Sequence, residues 1–399
     1  MVSSITESVF SMKILYLNYE YPPIGGGAST ATEAILKQWA KTPAMEVHLV
    51  TSALGAQEEH IHVGENVYVH RVPIGKDKEK LHSQSMRNIL VYSYQAWRFS
   101  VNFIKEENKK QHFDATLAFF TVPCGFIGYL LKLQFRIPYA VSLRGADVPG
   151  FSEKYKTFYL FAKPLVRFLW RQAAAVIPNS AGICELAHKT SPQQAMQIIE
   201  NGVDTEIFKP AAVAFPLSSI IFLSTSRLTP RKGIDKLIEA FALAVKKSST
   251  PLELHLIGEG EQRNYLEERV RTLGIVDSVK FFGRIEHDYV GACYSQTHVF
   301  VMPSKNEGMS NSALEAMASG LALVVSNTGG MQELVTDGGN GFIIDPNDPE
   351  SFAEILLRFV NNTSLIATFG MASRRRAEAR GWGNVAQQFR TILEKGINN

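Results

Sequence analysis

Short β-branched or apolar runs alternate with helical stretches along almost the whole chain, in two successive series. The first series reads MKILYL (12–17), EVHLVT (46–51), VYVHRV (67–72), ATLAFF (115–120), PYAVSL (138–143) and AAVIP (174–178). Helical stretches such as Thr30 to Lys41 and Tyr155 to Arg171 fall between them. The second series reads IIFLST (220–225), LELHLI (252–257), VKFFG (279–283), HVFVMP (298–303), ALVVS (322–326) and GFIID (341–345). Strands separated by helices of about 10–15 residues imply right-handed βαβ units around a parallel sheet. Two series predict an α/β chain of two doubly wound, Rossmann-like domains. Its 399 residues accommodate two domains of roughly 100–200 residues each.

The join is legible near Asn201 to Pro216, NGVDTEIFKPAAVAFP, which is rich in proline and small residues and suits a linker. At the far end, Trp382, Val385, Phe389, Ile392 and Leu393 recur at helical spacing within Trp382 to Lys395.

Composition removes several classes. With 45% hydrophobic and 20% charged residues the chain is globular, neither disordered nor coiled-coil. A net charge of +3 is too small for wholesale wrapping by nucleic acid, so no nucleic-acid partner is expected. No run reaches the length of about 18 apolar residues that a membrane span needs; the nearest, Leu117 to Leu131, is broken by Pro123 and two glycines. Cys124, Cys184 and Cys293 lie far apart without a C-x-x-C pair, so each reads as a small buried hydrophobe. Residues 1–11, MVSSITESVFS, lack the basic and apolar regions of a signal peptide and read as a short extension, with the cytoplasm as the expected compartment.

Charge is distributed unevenly. Between Arg98 and Arg171 there are twelve Lys or Arg against five Asp or Glu, a net of +7. Within it, EKYKTFYLFAKPLVRFLWR (153–171) interleaves cations with aromatic residues. It is either a core-covering helix with a solvated basic face or a patch for an anionic membrane surface or acceptor.

In an open parallel sheet, ligands bind beyond the carboxyl ends of the strands, and five segments in such positions stand out. Tyr19 to Ala28 contains Gly25-Gly26-Gly27, which either lets the backbone approach a ligand or simply turns sharply. It is neither a Walker loop nor a clean G-x-G-x-x-G, because Thr30 stands where the third small residue belongs. Ser224 to Gly233 sets Arg227, Arg231 and Lys232 in one loop, suited to a polyanion such as a diphosphate or merely a basic surface turn. Gly258-Glu259-Gly260 closes the next strand and allows the chain to pass under a bound nucleotide, as a plain turn would also require.

The fourth segment, Pro303 to Gly320, is the most informative. A strand ends, a loop containing Gly308 follows, and a helix begins near Ser310, so free backbone N–H groups and the positive helix end form an anion site. Glu307 and Glu315 flank that site in an E-x7-E arrangement. A carboxylate beside a phosphate site repels the phosphate, so its natural partners are hydroxyls, and the set describes a nucleotide-sugar well. The bland alternative is a capped helix with incidental glutamates. The fifth segment, Ser142 to Pro149, carries Arg144-Gly145-Ala146-Asp147, either a turn or an acceptor-facing polar group.

Together, E-x7-E, the R-L-x-x-x-K-G loop at 227–233 and N-G-V-D-x-x-x-F at 201–208 resemble the retaining glycosyltransferases of the GT-B fold, family 4 in particular. The resemblance runs from the GGG loop to Trp382. It implies two Rossmann-like domains facing across a cleft: an acceptor-binding domain of residues 1–207, completed by a C-terminal helix (380–399), and a donor-binding domain of residues 208–379. It also implies a hexosyl donor held as a nucleoside-diphosphate sugar and no cofactor, while the basic, aromatic stretch of the first domain suggests a glycan or glycolipid acceptor in surface polysaccharide or glycolipid synthesis, in the cytoplasm or peripherally at the inner membrane face. Carried onto this sequence, Arg227 and Lys232 would hold the diphosphate with backbone N–H groups around Gly308, Met309 and Ser310. Glu307 would face the transferred sugar and Glu315 the ribose. Gly258 and Arg284 would lie near the nucleotide, and Gly26 and Gly27 would approach the diphosphate from the first domain.

Many relatives carry His-Gly-x-Asp where this chain has Arg144-Gly145-Ala146-Asp147. Arginine cannot accept a hydrogen bond as neutral histidine can, which hints at an anionic acceptor group near Arg144 and Asp147. No Asp-x-Asp motif occurs, so a metal bridging the diphosphate is not expected. The competing classes are an epimerase or phosphorylase on the same fold, an NAD-dependent oxidoreductase, which the Gly25–Thr30 sequence disfavours, and a non-catalytic nucleotide-sugar-binding protein.

Overall fold

A computed structural model describes residues 11–76, 81, 85–152, 156–211 and 218–397, except the side chains of Lys156, His287 and Asp288. The extension before Ser11, the first residues of the aromatic basic stretch (153–155) and the 212–216 part of the join lie outside the described residues.

The first series comprises β1 (Met12–Leu17), α1 (Gly27–Trp39), β2 (Met45–Ala53), β3 (Glu59–His62), β4 (Val67–Pro73), α2 (Met86–Glu107), β5 (Ala115–Phe119), α3 (Phe126–Phe135), β6 (Tyr139–Leu143), α4 (Lys156–Gln172), β7 (Ala175–Pro178) and α5 (Ala181–His188). The second comprises β8 (Ile220–Thr225), α6 (Ile234–Lys247), β9 (Leu252–Ile257), α7 (Arg263–Thr272), β10 (Val279–Gly283), α8 (His287–Ser295), β11 (Val299–Met302), α9 (Asn311–Ala318), β12 (Ala322–Ser326), α10 (Met331–Leu334), β13 (Gly341–Ile344), α11 (Pro349–Asn361), α12 (Ser364–Glu378) and α13 (Trp382–Ile397).

The chain divides into two compact units. One takes Met1–Asn179, Ile183–Glu200 and Trp382–Asn399; the other takes Ser180–Gly182 and Asn201–Gly381. The sheet of the first unit has the order β3-β4-β2-β1-β5-β6-β7, and that of the second β10-β9-β8-β11-β12-β13. The second is parallel throughout, and its order reverses between β8 and β11. The first reverses between β1 and β5, where Ile14 pairs with Ala115. Every residue of β1, β5, β11 and β12 is buried. Such strands read as continuous apolar runs because helices cover both sheet faces.

Helix α13 belongs to the first unit although it ends the chain. Trp382, Val385, Phe389, Ile392 and Leu393 join the same core as β1 and β5. The Trp39 indole N–H of α1 donates to the Ala386 carbonyl at 3.1 Å. The period seen in the sequence is therefore a buried face that docks beside α1.

Three readings need correction. The first sheet is mixed, because β3 pairs antiparallel with β4 at its edge; EHIH lacks the apolar content that marks the other strands. Of the cysteines only Cys124 is buried, whereas Cys184 and Cys293 are partly exposed. Residues 201–208 are also no solvated linker. Val203 and Phe208 are buried in the core of the second unit, and Asn201 Nδ2 donates to Asn311 Oδ1 of α9 at 2.7 Å. The division between units accordingly falls at residue 200.

Candidate active site

In a doubly wound sheet, the crevice beyond the strand ends opens where the order reverses. In the second unit that point lies between β8 and β11, and the two strongest sequence segments are the loops leaving these strands. Strand β8 runs into Ser226–Thr229 and a short turn, Pro230–Lys232. Strand β11 runs into Pro303–Ser310 and then α9. The Lys305 N–H donates to the Arg231 carbonyl at 2.8 Å, and the Arg231 guanidinium donates to the Asn306 carbonyl at 2.9 Å. The two loops thereby hold each other in place.

At their meeting the Lys232 ammonium donates to Glu307 Oε1. These side chains are 11% and 9% exposed. Burial pushes the Glu307 carboxyl up, but the Lys232 and Arg231 charges outweigh it and hold it below the usual carboxylate range. Burial pushes the Lys232 ammonium down against the pull of Glu307, and nearby Arg231 and Arg227 add to the depression. Cations crowded this way gain from any anion that binds among them. Arg227 itself is exposed at the mouth of the loop.

Ser310 caps α9, accepting from the Ala313 N–H at 3.2 Å. Gly308, Met309 and Ser310 are buried at the helix entry, where unpaired N–H groups and the helix dipole favour an anion. One turn into the helix, the buried Glu315 accepts at Oε2 from the Tyr294 hydroxyl of α8 at 3.0 Å. A carboxylate has about four acceptor sites on its two oxygens, so the Tyr294 contact is compatible with a hydroxyl partner as well.

Gly258 follows β9 with φ +132°, and a Cβ there would lie 1.9 Å from the Ser226 carbonyl oxygen. Packing of the β8 loop alone therefore demands glycine, whatever binds above it. The Gly258 N–H donates to the Gly283 carbonyl at 2.8 Å, placing exposed Arg284 next to that turn.

The remaining sequence candidates belong to the first unit. Gly26 caps α1 and donates its N–H to Glu20 Oε2 at 3.2 Å, with Gly27 opening the helix and both glycines exposed. Asp147 is buried within its own loop. Its Oδ2 accepts from the Thr121 N–H at 2.9 Å and the Thr121 hydroxyl at 3.1 Å, and its Oδ1 from the N–H groups of Arg144 (2.9 Å) and Gly145 (3.1 Å). The Arg144 guanidinium lies 3.6 Å from the centre of the Phe119 ring and 5.9 Å from that of Phe389. Burial pushes its pKa down to about 10. Asp147 thus shapes the loop that aims Arg144.

Sequence reasoning missed two contributors. Tyr294 stands in no motif, and only the packing of α8 on α9 brings it to Glu315. Gly329, with φ +50°, follows β12, and a Cβ on it would lie 1.6 Å from the Glu307 carbonyl oxygen. Asn201, the first residue of the N-G-V-D motif, was read as part of the join, and its contact with Asn311 ties it to the start of α9.

Among the described residues, one group has metal-ligand character: Glu46, His48 and Glu107 in the first unit. The Lys13 ammonium already supplies a cation there, 3.0 Å from Glu46 and 2.6 Å from Glu107. No single helix among the described residues is long and apolar enough to cross a membrane.

Residues 26–202 match the family model described as glycosyl transferase 4-like domain, and residues 206–376 match that of glycosyl transferases group 1. An uncharacterized glycosyltransferase of Methanocaldococcus jannaschii is 26% identical over 96% of this chain and 98% of its own length. Among solved structures, sucrose-phosphate synthase from Thermosynechococcus elongatus superposes with a TM-score of 0.82 at 22% identity, covering 96% of this chain and 98% of that one. Anabaena HepE in complex with UDP-glucose gives 0.73 at 22% identity, covering 96% and 100%.

Proposed function

Because the chain belongs to the glycosyltransferases of the GT-B fold, we propose that it moves a hexosyl group from a nucleoside-diphosphate sugar to an acceptor hydroxyl, with the anomeric configuration retained. The observation that carries this reading is the buried Lys232–Glu307 pair at the reversal point of the second sheet, beside the N-terminus of α9.

As the glycosidic bond to the diphosphate breaks, negative charge gathers on the leaving oxygen and positive charge on the sugar ring. Arg227, Lys232 and the N–H groups at Gly308, Met309 and Ser310 are suited to the first charge, and the buried ones, Lys232 and the helix entry, are held in place before the reaction begins. Binding that strengthens as charge develops lowers the barrier, whereas equal binding of substrate and transition state would not. Glu307 is suited to the sugar's hydroxyls or its developing cation. Glu315 is suited to the ribose, and Gly258 and Arg284 to the base end of the nucleotide. HepE, with UDP-glucose bound in a similar fold, supports a uridine nucleotide as the first donor to try. Neutralisation by cations leaves no role for a metal in this reading. The acceptor is a glycan or glycolipid, taken at the cytoplasmic face of an anionic membrane; the basic stretch between Arg98 and Arg171 supports that part.

The test is acceptor-stimulated nucleotide release across UDP-, GDP-, ADP- and CMP-sugars, with and without EDTA, followed by the anomeric coupling constant of the product. Release that survives EDTA, with the donor's anomer preserved, is the expected result. An inverted product or strict metal dependence overturns the corresponding element of the proposal.

A further inference from the structure

Helix α4 buries one apolar face in the first unit and leaves a second, adjoining one partly open. Tyr159, Val166, Leu169 and Trp170 are buried in the first unit. Beside that face, Phe158, Phe161, Leu165 and Phe168 recur at steps of three and four residues, a second stripe at helical period. Phe161 is 78% exposed and neighbouring Leu160 72%, while Phe158, Leu165 and Phe168 are each 41% exposed. The stripe continues onto α3, where Tyr129 meets Phe168 edge-on at 5.0 Å and Leu133 is 64% exposed. A contiguous apolar surface of this kind on a helix marks an interaction site.

The charges beside it have one sign. Arg167 and Arg171 are exposed along one edge of α4, and Arg136 is exposed just after α3. Neither helix contains a carboxylate. Between Ala115 and Gln172 the acidic residues are Asp147, buried within its loop, and Glu153, which lies outside the described residues. Large aromatic and aliphatic side chains on two helices whose charged residues are all cations suit the boundary of an anionic bilayer, where rings enter the headgroup region and guanidinium groups meet lipid phosphates. A second copy packed on the same face across a two-fold axis would bury these arginines against helices that offer no carboxylate to pair them.

We infer that the outer face of α4, continued by α3, is the surface through which this protein lies on an anionic lipid bilayer, Phe161 and Phe168 entering the interface and Arg167 and Arg171 holding lipid phosphates. This deepens the membrane part of the function proposed above and rests on it for its purpose, but not for its test. Binding to vesicles requires neither donor nor acceptor.

The full chain is floated with vesicles of phosphatidylglycerol and phosphatidylcholine, and with phosphatidylcholine alone, at low and high salt. Wild-type protein is expected to float with the anionic vesicles at low salt, with loss at high salt. Phe161→Ser/Phe168→Ser is expected to reduce partitioning at least tenfold. Arg171→Glu is expected to reduce it about fivefold or more, since each cation near such a surface contributes about 1 kcal/mol. Circular dichroism and a thermal melt confirm folding of the exposed-site variants. Failure of wild type to float with anionic vesicles, or equal flotation of wild type and the double Phe variant, overturns the inference. Self-association of wild type that the Phe substitutions abolish, without vesicle binding, also overturns it and assigns the face to a second copy. Nucleotide release toward a water-soluble acceptor is measured in parallel, so a failed surface and a failed transferase reading are told apart.

Discussion

Lys232 and Glu307 form a buried ion pair whose members gain little from each other unless a ligand joins them, because taking two charges out of water offsets most of their attraction. Glu307→Gln keeps an oxygen that can accept from the Lys232 ammonium but removes the carboxylate charge. Sugar transfer should fall on the order of 10²–10³-fold in kcat, with the thermal midpoint shifted by only a few degrees; near-native turnover would remove Glu307 from the chemistry. Tyr294→Phe should act differently. It deletes the hydroxyl that donates to Glu315 from α8, so KM for the donor should rise several-fold while kcat changes little, and a 2′-deoxyribose donor should show a smaller rise. An equal loss in kcat would make Tyr294 a packing residue instead. Glu307, Arg227 and Lys232 were legible in the sequence because each belongs to a motif at a strand end. Tyr294 was not, because its value comes from α8 lying against α9 and leaves no local signature.

The edge elements of the first sheet carry a titratable chain. His48 Nδ1 and His70 Nε2 are 3.0 Å apart, and the Nδ1 atoms of His70 and His60 2.9 Å apart, linking β2, β4 and β3. Burial, together with the neighbouring imidazoles, pushes the His70 pKa down to about 3. The ordinary value is about 6.5, so between those pH values the unfolded chain takes up a proton that the folded chain refuses. Stability is therefore present above about pH 6.5 and is lost as pH falls toward 3, with a slope of up to about 1.4 kcal/mol per pH unit for this group. Urea midpoints taken from pH 7 to pH 5 should decline, and His70→Phe should flatten the decline; an unchanged slope would show that other groups control it. At this scale the alternation of apolar runs and helices was readable throughout, since each strand buried on both faces is a continuous run. Strand β3 was not, because an edge strand facing solvent needs no such run.

Over the whole molecule, the last helix completes the first unit. Deleting residues 382–397 would expose the faces that Trp382, Val385, Phe389, Ile392 and Leu393 now cover. The truncated chain should bind a hydrophobic dye and aggregate, and solubility should return when the helix is supplied as a separate peptide. A truncated chain that melts like the full one would show the docking to be dispensable. By itself, the sequence determined two doubly wound sheets and which loops could hold a phosphate, because hydrophobic period, turn residues and helix caps act over a few neighbouring residues. Tertiary structure alone decided which of those loops meet. Lys232 and Glu307 stand 75 positions apart and come together only because β8 and β11 pair as neighbours at the reversal of the sheet. It also decided that the aromatic stripe of α4 faces outward, since one amphipathic pattern does not say which of two apolar faces the core will take.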